Sequence, residues 1–224
     1  MKIVIRIGGS VIASPPNPSL MQKYAKLIQA LKTKGHEILV VVGGGKTARD
    51  FIDVAGKLGL KESEKDAVAI SVSRIVAELL ARRLGRDSSA SIPTSLEEAV
   101  ELSKKGKIPV MGGLRPGMTT DSVAALLAKE VKADLLVKAT DRDGIYDKDP
   151  EKYPDAEKID EVSYETLPQL LKRCEHTAGM RRILDPEAVR MLRQNRIRAI
   201  LVNGFNPKNM ERAIEGRKVG TTIH

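Results

Sequence analysis

The chain predicts an α/β fold with a buried parallel sheet, and three observations carry that prediction. Short β-branched runs without alternation, of which Ile38 to Val42 is the clearest, suit strands covered on both faces. Apolar residues at helical spacing fill the stretches between such runs. Glycine clusters stand where the runs end, at Gly8-Gly9-Ser10, Gly43-Gly44-Gly45-Lys46 and Gly112-Gly113.

Lys2 to Ile7 reads as a first strand, followed by a helix on which Leu20, Tyr24, Leu27, Ile28 and Leu31 recur. Asn17-Pro18 supplies a cap with a first-turn proline, and Gly35 supplies the stop. Beyond the second strand a helix runs to about Leu58. Another carries Val68, Val72, Ile75, Val76, Leu79 and Leu80 on one stripe. Both are expected to pack on the sheet. The scheme repeats with a helix near Ser95 to Lys104, a strand Ile108 to Met111, a loop Gly112 to Thr120, a helix Asp121 to Val131 and a strand Leu135 to Ala139. Asp147 to Tyr153 is turn-rich, Tyr164 to Arg173 and Pro186 to Gln194 look helical, and Ile197 to Val202 is a last strong strand before a short helix. No linker or fixed-period repeat interrupts this alternation, so a single domain over residues 1–224 is expected, with Asp87 to Pro93 as its softest stretch.

At 42% hydrophobic and 30% charged residues, the composition excludes disorder and a collagen-like fibre. No stretch reaches the roughly 18 apolar residues of a membrane span, and Met1 to Arg6 lacks the apolar run of a secretory signal. A cytoplasmic protein with no membrane partner is expected. Cys174 alone makes neither an internal disulfide nor a cysteine-based zinc site, and His36, His176 and His224 form no metal constellation. No protein metal site is assigned, and any metal should be a hard ion held by carboxylates and phosphates.

The balance of 38 basic and 29 acidic residues gives +9, which favours a polyanionic partner. Two phenylalanines and four tyrosines leave no basic stretch interleaved with stacking aromatics, which argues against nucleic acid. The basic run Arg181, Arg182, Arg190, Arg193, Arg196 and Arg198 reads first as a solvated helix face.

In an open parallel sheet, ligands gather outside the carboxyl ends of the strands. The glycine clusters, together with Thr140-Asp141-Arg142-Asp143-Gly144, stand at such ends. Glycine admits close backbone approach and positive φ, so successive amides can cradle phosphate oxygens. Beside them stand Arg6, Lys46 and Arg49, and the carboxylates Asp121, Asp141 and Asp143. Holding two anionic reactants in line while cations cancel their repulsion is what phosphoryl transfer asks of a protein. Gly43 to Thr47 imitates the end of a Walker loop, but Val40 occupies the position of its first glycine. Neither GxGxxG nor GxSxG is present, which weakens a dinucleotide dehydrogenase and a serine hydrolase.

IGGSVI at Ile7 to Ile12, VVVGGGKTARD at Val40 to Asp50, PVMGGLRPGMTTDSVAALLA at Pro109 to Ala128, ADLLVKATDRDGIYDKDP at Ala133 to Pro150 and GTTI at Gly220 to Ile223 together resemble the amino acid kinase superfamily. Within it, the short length and the GGLRPGMTTD loop are similar to the archaeal type of UMP kinase. The resemblance implies a three-layer α/β/α sandwich with a mainly parallel central sheet of about eight strands. It implies transfer of the γ-phosphoryl group of ATP to UMP, giving UDP and ADP in pyrimidine nucleotide biosynthesis, with Mg2+ and assembly as a hexamer. A helix such as Leu20 to Leu31 or Val68 to Leu80 could serve that interface.

By position, the resemblance places Gly8, Gly9, Ser10, Gly45 and Arg49 on the transferring phosphates, and Gly43 and Gly44 on the acceptor phosphate. It places Asp66 on the acceptor ribose and Leu114, Arg115, Pro116, Gly117, Met118, Thr119 and Thr120 around acceptor base and ribose. Thr140, Asp141, Tyr146 and Asp149 match the stretch around donor adenine and ribose. Arg6, Asp121 and Asp143 are the candidate catalytic residues, with Asp143 orienting phosphate-binding cations. Arginine stands at Arg6 where many members carry lysine, Lys138, which precedes TDRDG, could compensate, and Arg181 could lend a further charge to ATP phosphates. Isopentenyl phosphate kinase, for which a histidine near the acceptor phosphate is expected, and a non-catalytic nucleotide-binding protein are the alternatives.

Overall fold

A computed structural model of the chain describes residues 1–173 and 184–224, and Cys174, His176, Arg181 and Arg182 lie outside the described residues. The elements follow the predicted alternation: β1 (Lys2–Ile7), a short α1 (Gly9–Ile12), α2 (Pro18–Thr33), β2 (Glu37–Val42), α3 (Gly45–Lys57), α4 (Glu62–Leu84), α5 (Leu96–Lys104), β3 (Val110–Met111), α6 (Thr120–Glu130) and β4 (Leu135–Thr140). Then come β5 (Ile145–Tyr146), β6 (Lys158–Ile159), β7 (Glu161–Val162), α7 (Leu167–Arg173), α8 (Pro186–Gln194), β8 (Arg198–Asn203), α9 (Lys208–Ile214) and β9 (Thr221–Ile223).

Seven strands form one sheet in the order β3-β2-β1-β4-β8-β9-β7, parallel except where β9 runs antiparallel to β8; β5 and β6 form a separate two-stranded ribbon. The GTTI ending is thus a strand, too short to show periodicity. Helices cover both faces. Ile3, Ile5, Ile7, Val40 and Val42 pack with Tyr24 and Ile28 of α2, Val76 and Leu80 of α4 and Met210 of α9. Val4, Leu39, Val41 and Leu136 face Ala124, Leu127 and Ala128 of α6 and Leu192 of α8. Period-two alternation on β1 therefore sends Arg6 to the α6 face.

Two expectations fail in detail. Only Ala48 and Ala55 of α3 are buried, while Phe51, Val54 and Leu58 are exposed, because α3 lies against α4 rather than the sheet. On α4, Ile75 and Leu79 are exposed. The small residues Ser73, Ala77 and Ala81 pack inward with Val72, Val76 and Leu80, which turns Ile75 and Leu79 towards solvent. The apolar residues Leu20, Tyr24, Leu27, Ile28 and Leu31 of α2 are buried in the core.

Candidate active site

The order β3-β2-β1-β4 makes the four strands that precede glycine-bearing turns immediate neighbours, with the direction of winding reversing beside β1. Their ends are in register: Ile7 pairs with Val42 on one side and with Ala139 on the other. The first two turns touch. A Cβ on Gly9 would lie 2.1 Å from Gly45 N and 2.9 Å from Gly43 C, and Gly45 itself has φ +60°. Only glycine fits such an approach. Ser14 stitches the turns together, donating from Oγ to Gly9 O at 2.9 Å and accepting from Lys46 N at 2.7 Å. Thr47 N is likewise committed to Ala13 O, so the α3 terminus turns the glycine backbone, rather than its later amides, towards the cavity.

That cavity, of about 340 Å³, is lined by Arg6, Gly8, Gly9, Ser10, Gly43, Gly44, Gly45, Arg49, Thr119, Thr120, Asp121, Lys138, Thr140, Asp141 and Asp185. Arg6 occupies its centre. A Cβ on Gly8 would meet Arg6 Nη1 at 3.2 Å and one on Gly43 would meet Nη2 at 3.4 Å, so the guanidinium spans both turns. Its Nη2 donates to Thr120 Oγ1 at 2.8 Å. Its Nε lies 2.7 Å from Asp121 Oδ1, a buried ion pair. Lys138 Nζ donates to Asp121 Oδ2 at 2.5 Å.

Asp121 is 8% and Lys138 3% exposed, so this is a buried cluster of two cations on one carboxylate. Burial works to raise the Asp121 carboxyl, but the charges of Arg6 and Lys138 outweigh it and hold the carboxyl below its ordinary value. Burial pushes the Lys138 ammonium down, and Arg6 adds to this; attraction to Asp121 offsets only part of it.

Flanking this centre are two sides. On one, Asp66 accepts from Gly117 N at 2.7 Å, tying α4 to the loop before α6. Thr119 caps α6 by accepting from Ser122 N at 3.1 Å. On the other, a cavity of about 230 Å³ is lined by Asp141, Arg142, Asp143, Tyr146, Pro150 and Glu151, and Asp141 lines both cavities. Asp143 is exposed and accepts from Asn203 Nδ2 at 2.9 Å, placing it beside Tyr146 rather than in the Arg6 cluster. Asp149 is buried and accepts from Glu151 N at 3.0 Å, shaping the turn behind Tyr146.

Of the predicted residues, the glycines, Ser10, Arg6, Arg49, Thr119, Thr120, Asp121, Thr140 and Asp141 meet in one cavity. Leu114 to Met118 lie in the adjoining loop, while Arg181 is outside the described residues. Arg190, Arg193, Arg196 and Arg198 are exposed, as a solvated face requires. Sequence reasoning missed Asp185. It caps α8 by accepting from Ala188 N at 2.8 Å, accepts from Ser122 Oγ at 3.0 Å and from Thr119 Oγ1, and lines the cavity. Asp185-Pro186 is a visible helix-start signal, but only the fold brings that start to the site.

Turns that meet backbone to backbone, with cations between them, define an α/β protein built to handle phosphorylated ligands. A sequence profile described as "Amino acid kinase family" matches residues 1–203, and the chain belongs to that family. It is 41% identical over 223 residues to a uridylate kinase of Methanothermobacter thermautotrophicus, covering 100% of this chain and 99% of that one. It is also 41% identical over 225 residues to a uridylate kinase of Methanocaldococcus jannaschii, with coverage of 100% and 99%. Among solved structures, the uridylate kinase of Archaeoglobus fulgidus superposes with a TM-score of 0.91 at 36% identity, each chain covered completely. The UMP kinase of Bacillus anthracis, at 22% identity, shares the fold with a TM-score of 0.84 over 100% of this chain and 95% of that chain.

Proposed function

We propose that this chain is a UMP kinase, moving the γ-phosphoryl group of ATP to UMP and producing UDP and ADP for pyrimidine nucleotide synthesis. The observation that carries the chemistry is the Arg6 guanidinium spanning Gly8 and Gly43 where the two glycine turns touch. Full-length similarity to curated uridylate kinases selects the acceptor.

In this reading the donor lies along Thr140, Asp141, Tyr146 and Asp149, with Asp143 next to it, and its phosphates extend over Gly8, Gly9, Ser10, Gly45 and Arg49. The acceptor enters from Asp66 and the Leu114 to Thr120 loop, with its phosphate at Gly43 and Gly44. Arg6 sits where the group in transfer must pass and cancels the repulsion of the two anions. Asp121 fixes Arg6 in that place. The attacking atom is a phosphate oxygen, already ionised near neutral pH because the second phosphate pKa is about 6, so no general base is needed.

Among the described residues no group of three His, Cys, Asp or Glu could hold a metal ion. Asp121 is committed to two cations and Asp185 to Thr119, Ser122 and the α8 cap, which leaves Asp141 as the cavity carboxylate able to receive water bound to an ion that arrives on the nucleotide. Such an ion, Mg2+ for an ATP-dependent kinase, would spread the charge of the donor phosphates. Among the described residues no helix is long and apolar enough to cross a membrane. The exposed apolar residues of α3 and α4 suit burial between copies in a homo-oligomer such as a hexamer.

ADP release measured with UMP, CMP, AMP and isopentenyl phosphate as acceptors tests the proposal. UMP should be the preferred acceptor; turnover of isopentenyl phosphate without UMP would overturn it.

A further inference from the structure

One face of α4 is devoted to the loop that precedes α6. Asp66, Ile70, Ser73 and Arg74 recur at helical spacing on that face, and each meets the loop. A Cβ on Gly112 would lie 2.7 Å from Arg74 N and 2.8 Å from Ser73 C, and one on Gly113 would lie 2.9 Å from Ile70 Cγ1. The loop thus starts flat against the helix. Ser73 Oγ accepts from Gly113 N at 2.8 Å while donating to Ile70 O at 2.7 Å. The half-buried Arg74 donates from Nε to Gly113 O at 3.1 Å and from Nη2 to Leu114 O at 3.2 Å. Asp66 takes the far side of the loop through Gly117 N at 2.7 Å.

We infer that Arg74 is a positioning residue for the acceptor, acting through the Gly113 to Gly117 loop rather than by touching substrate. One planar guanidinium holds two successive carbonyls, so it fixes two peptide planes. Because a trans peptide sets its N–H opposite its C=O, the N–H groups of Leu114 and Arg115 are directed away from α4. Those groups belong to the segment read here as the wrap around acceptor base and ribose. Asp66 pins one point at the far end and Ser73 holds Gly113 N at the base, which leaves the Gly113 and Leu114 carbonyls to be fixed. Arg74 fixes them before the acceptor arrives, so its contribution is to binding rather than to the chemical step.

The inference rests on the assignment of the Leu114 to Thr120 loop to the acceptor, and the experiment separates the two. Steady-state constants for UMP and ATP are measured for Arg74→Met, Arg74→Lys and Asp66→Ala, with thermal melts of each. Arg74→Met should raise the KM for UMP about tenfold or more, the scale of losing hydrogen bonds from a charged group, with kcat and the KM for ATP within about twofold. Arg74→Lys, which keeps the charge but not the fork, should fall between. If Asp66→Ala raises the KM for UMP and Arg74→Met does not, the inference is wrong and the loop assignment stands. If Asp66→Ala also leaves the KM for UMP unchanged, the loop assignment itself is wrong. A matched fall in kcat and melting temperature in both Arg74 variants, with no selective change for UMP, would reduce Arg74 to a structural residue and overturn the inference.

Discussion

Arg6 and Lys138 are register partners on the adjacent parallel strands β1 and β4, two like charges side by side on one face of the sheet. Both stand one residue before the last pair at the strand ends, Ile7 and Ala139, and both face α6. Asp121, in the first turn of α6, divides its carboxylate between them, Oδ2 to Lys138 and Oδ1 to Arg6. Lys138 makes the tighter contact, at 2.5 Å, whereas Arg6 is met at 2.7 Å and also holds Thr120 Oγ1. The arrangement leaves Arg6 the freer of the two cations to serve an anion.

Replacing Arg6 with Met should therefore lower kcat far more than it weakens either nucleotide. A removed transition-state donor costs on the order of 10²–10³ in rate. The Asp121–Lys138 pair survives, so the fold should persist. Single-turnover kinetics at saturating nucleotides provide the check, and full turnover in the variant would remove Arg6 from the chemistry.

Lys138 predicts a pH dependence. Burial holds its ammonium below the ordinary lysine range, so raising the pH discharges it early. Asp121 then draws on Arg6 alone, and kcat should fall on the alkaline side before an ordinary lysine would titrate. The stability term has the opposite sense. With the folded pKa below the unfolded one, the unfolded chain holds more proton between the two values, so stability rises with pH through that window. Lys138→Met should lower the neutral-pH rate, flatten the alkaline limb and abolish this gain. Persistence of the limb in the variant would assign it to another group.

Much of this site was legible because its parts are local. Strand ends announce themselves by glycine, and aligning IVIRIGG with LLVKATD already places Arg6 beside Lys138. The rim order follows from the alternation of strands and helices. What stayed hidden depends on helix rotation and on distant pairing. Nothing near Ile75 or Leu79 says that Ser73, Ala77 and Ala81 turn inward instead. Asp185 and Arg74 reach Thr119 and Gly113 over separations of 66 and 39 residues, which no local pattern encodes.

The contact between the first two turns makes Gly9 the most sensitive position. Ala at Gly9 would place its Cβ 2.1 Å from Gly45 N, against backbone that cannot swing aside. Gly9→Ala should separate the turns and abolish phosphoryl transfer. Gly56→Ala is the matched control: it lies within α3 and its Cβ would meet the flexible end of Lys65, Cε at 3.6 Å and Nζ at 3.8 Å. Helix propensity favours alanine there by about 1 kcal/mol, so activity should hold and the melting temperature should stay or rise. Activity in Gly9→Ala near that of the control would mean that the turns do not need to touch.

Tyr24 joins the core to the rim. Its buried hydroxyl donates to Gly204 O at 2.7 Å, while Gly204 N donates to Thr140 O at 2.7 Å beside the donor side. Burial pushes the phenol above its ordinary value, so it stays protonated through neutral pH and contributes by hydrogen bonding alone. Tyr24→Phe leaves a buried carbonyl without its partner, which costs about 1–3 kcal/mol. For a chain of this length each kcal/mol lowers the melting temperature by roughly 2–4 °C. The loss falls on Gly204, the residue after β8, next to Asn203, which in turn holds Asp143. The KM for ATP should rise modestly while that for UMP stays fixed, since α4 and its loop are untouched. A melting temperature unchanged in Tyr24→Phe would show that water replaces the hydroxyl at no cost and that this buried bond does not anchor the rim.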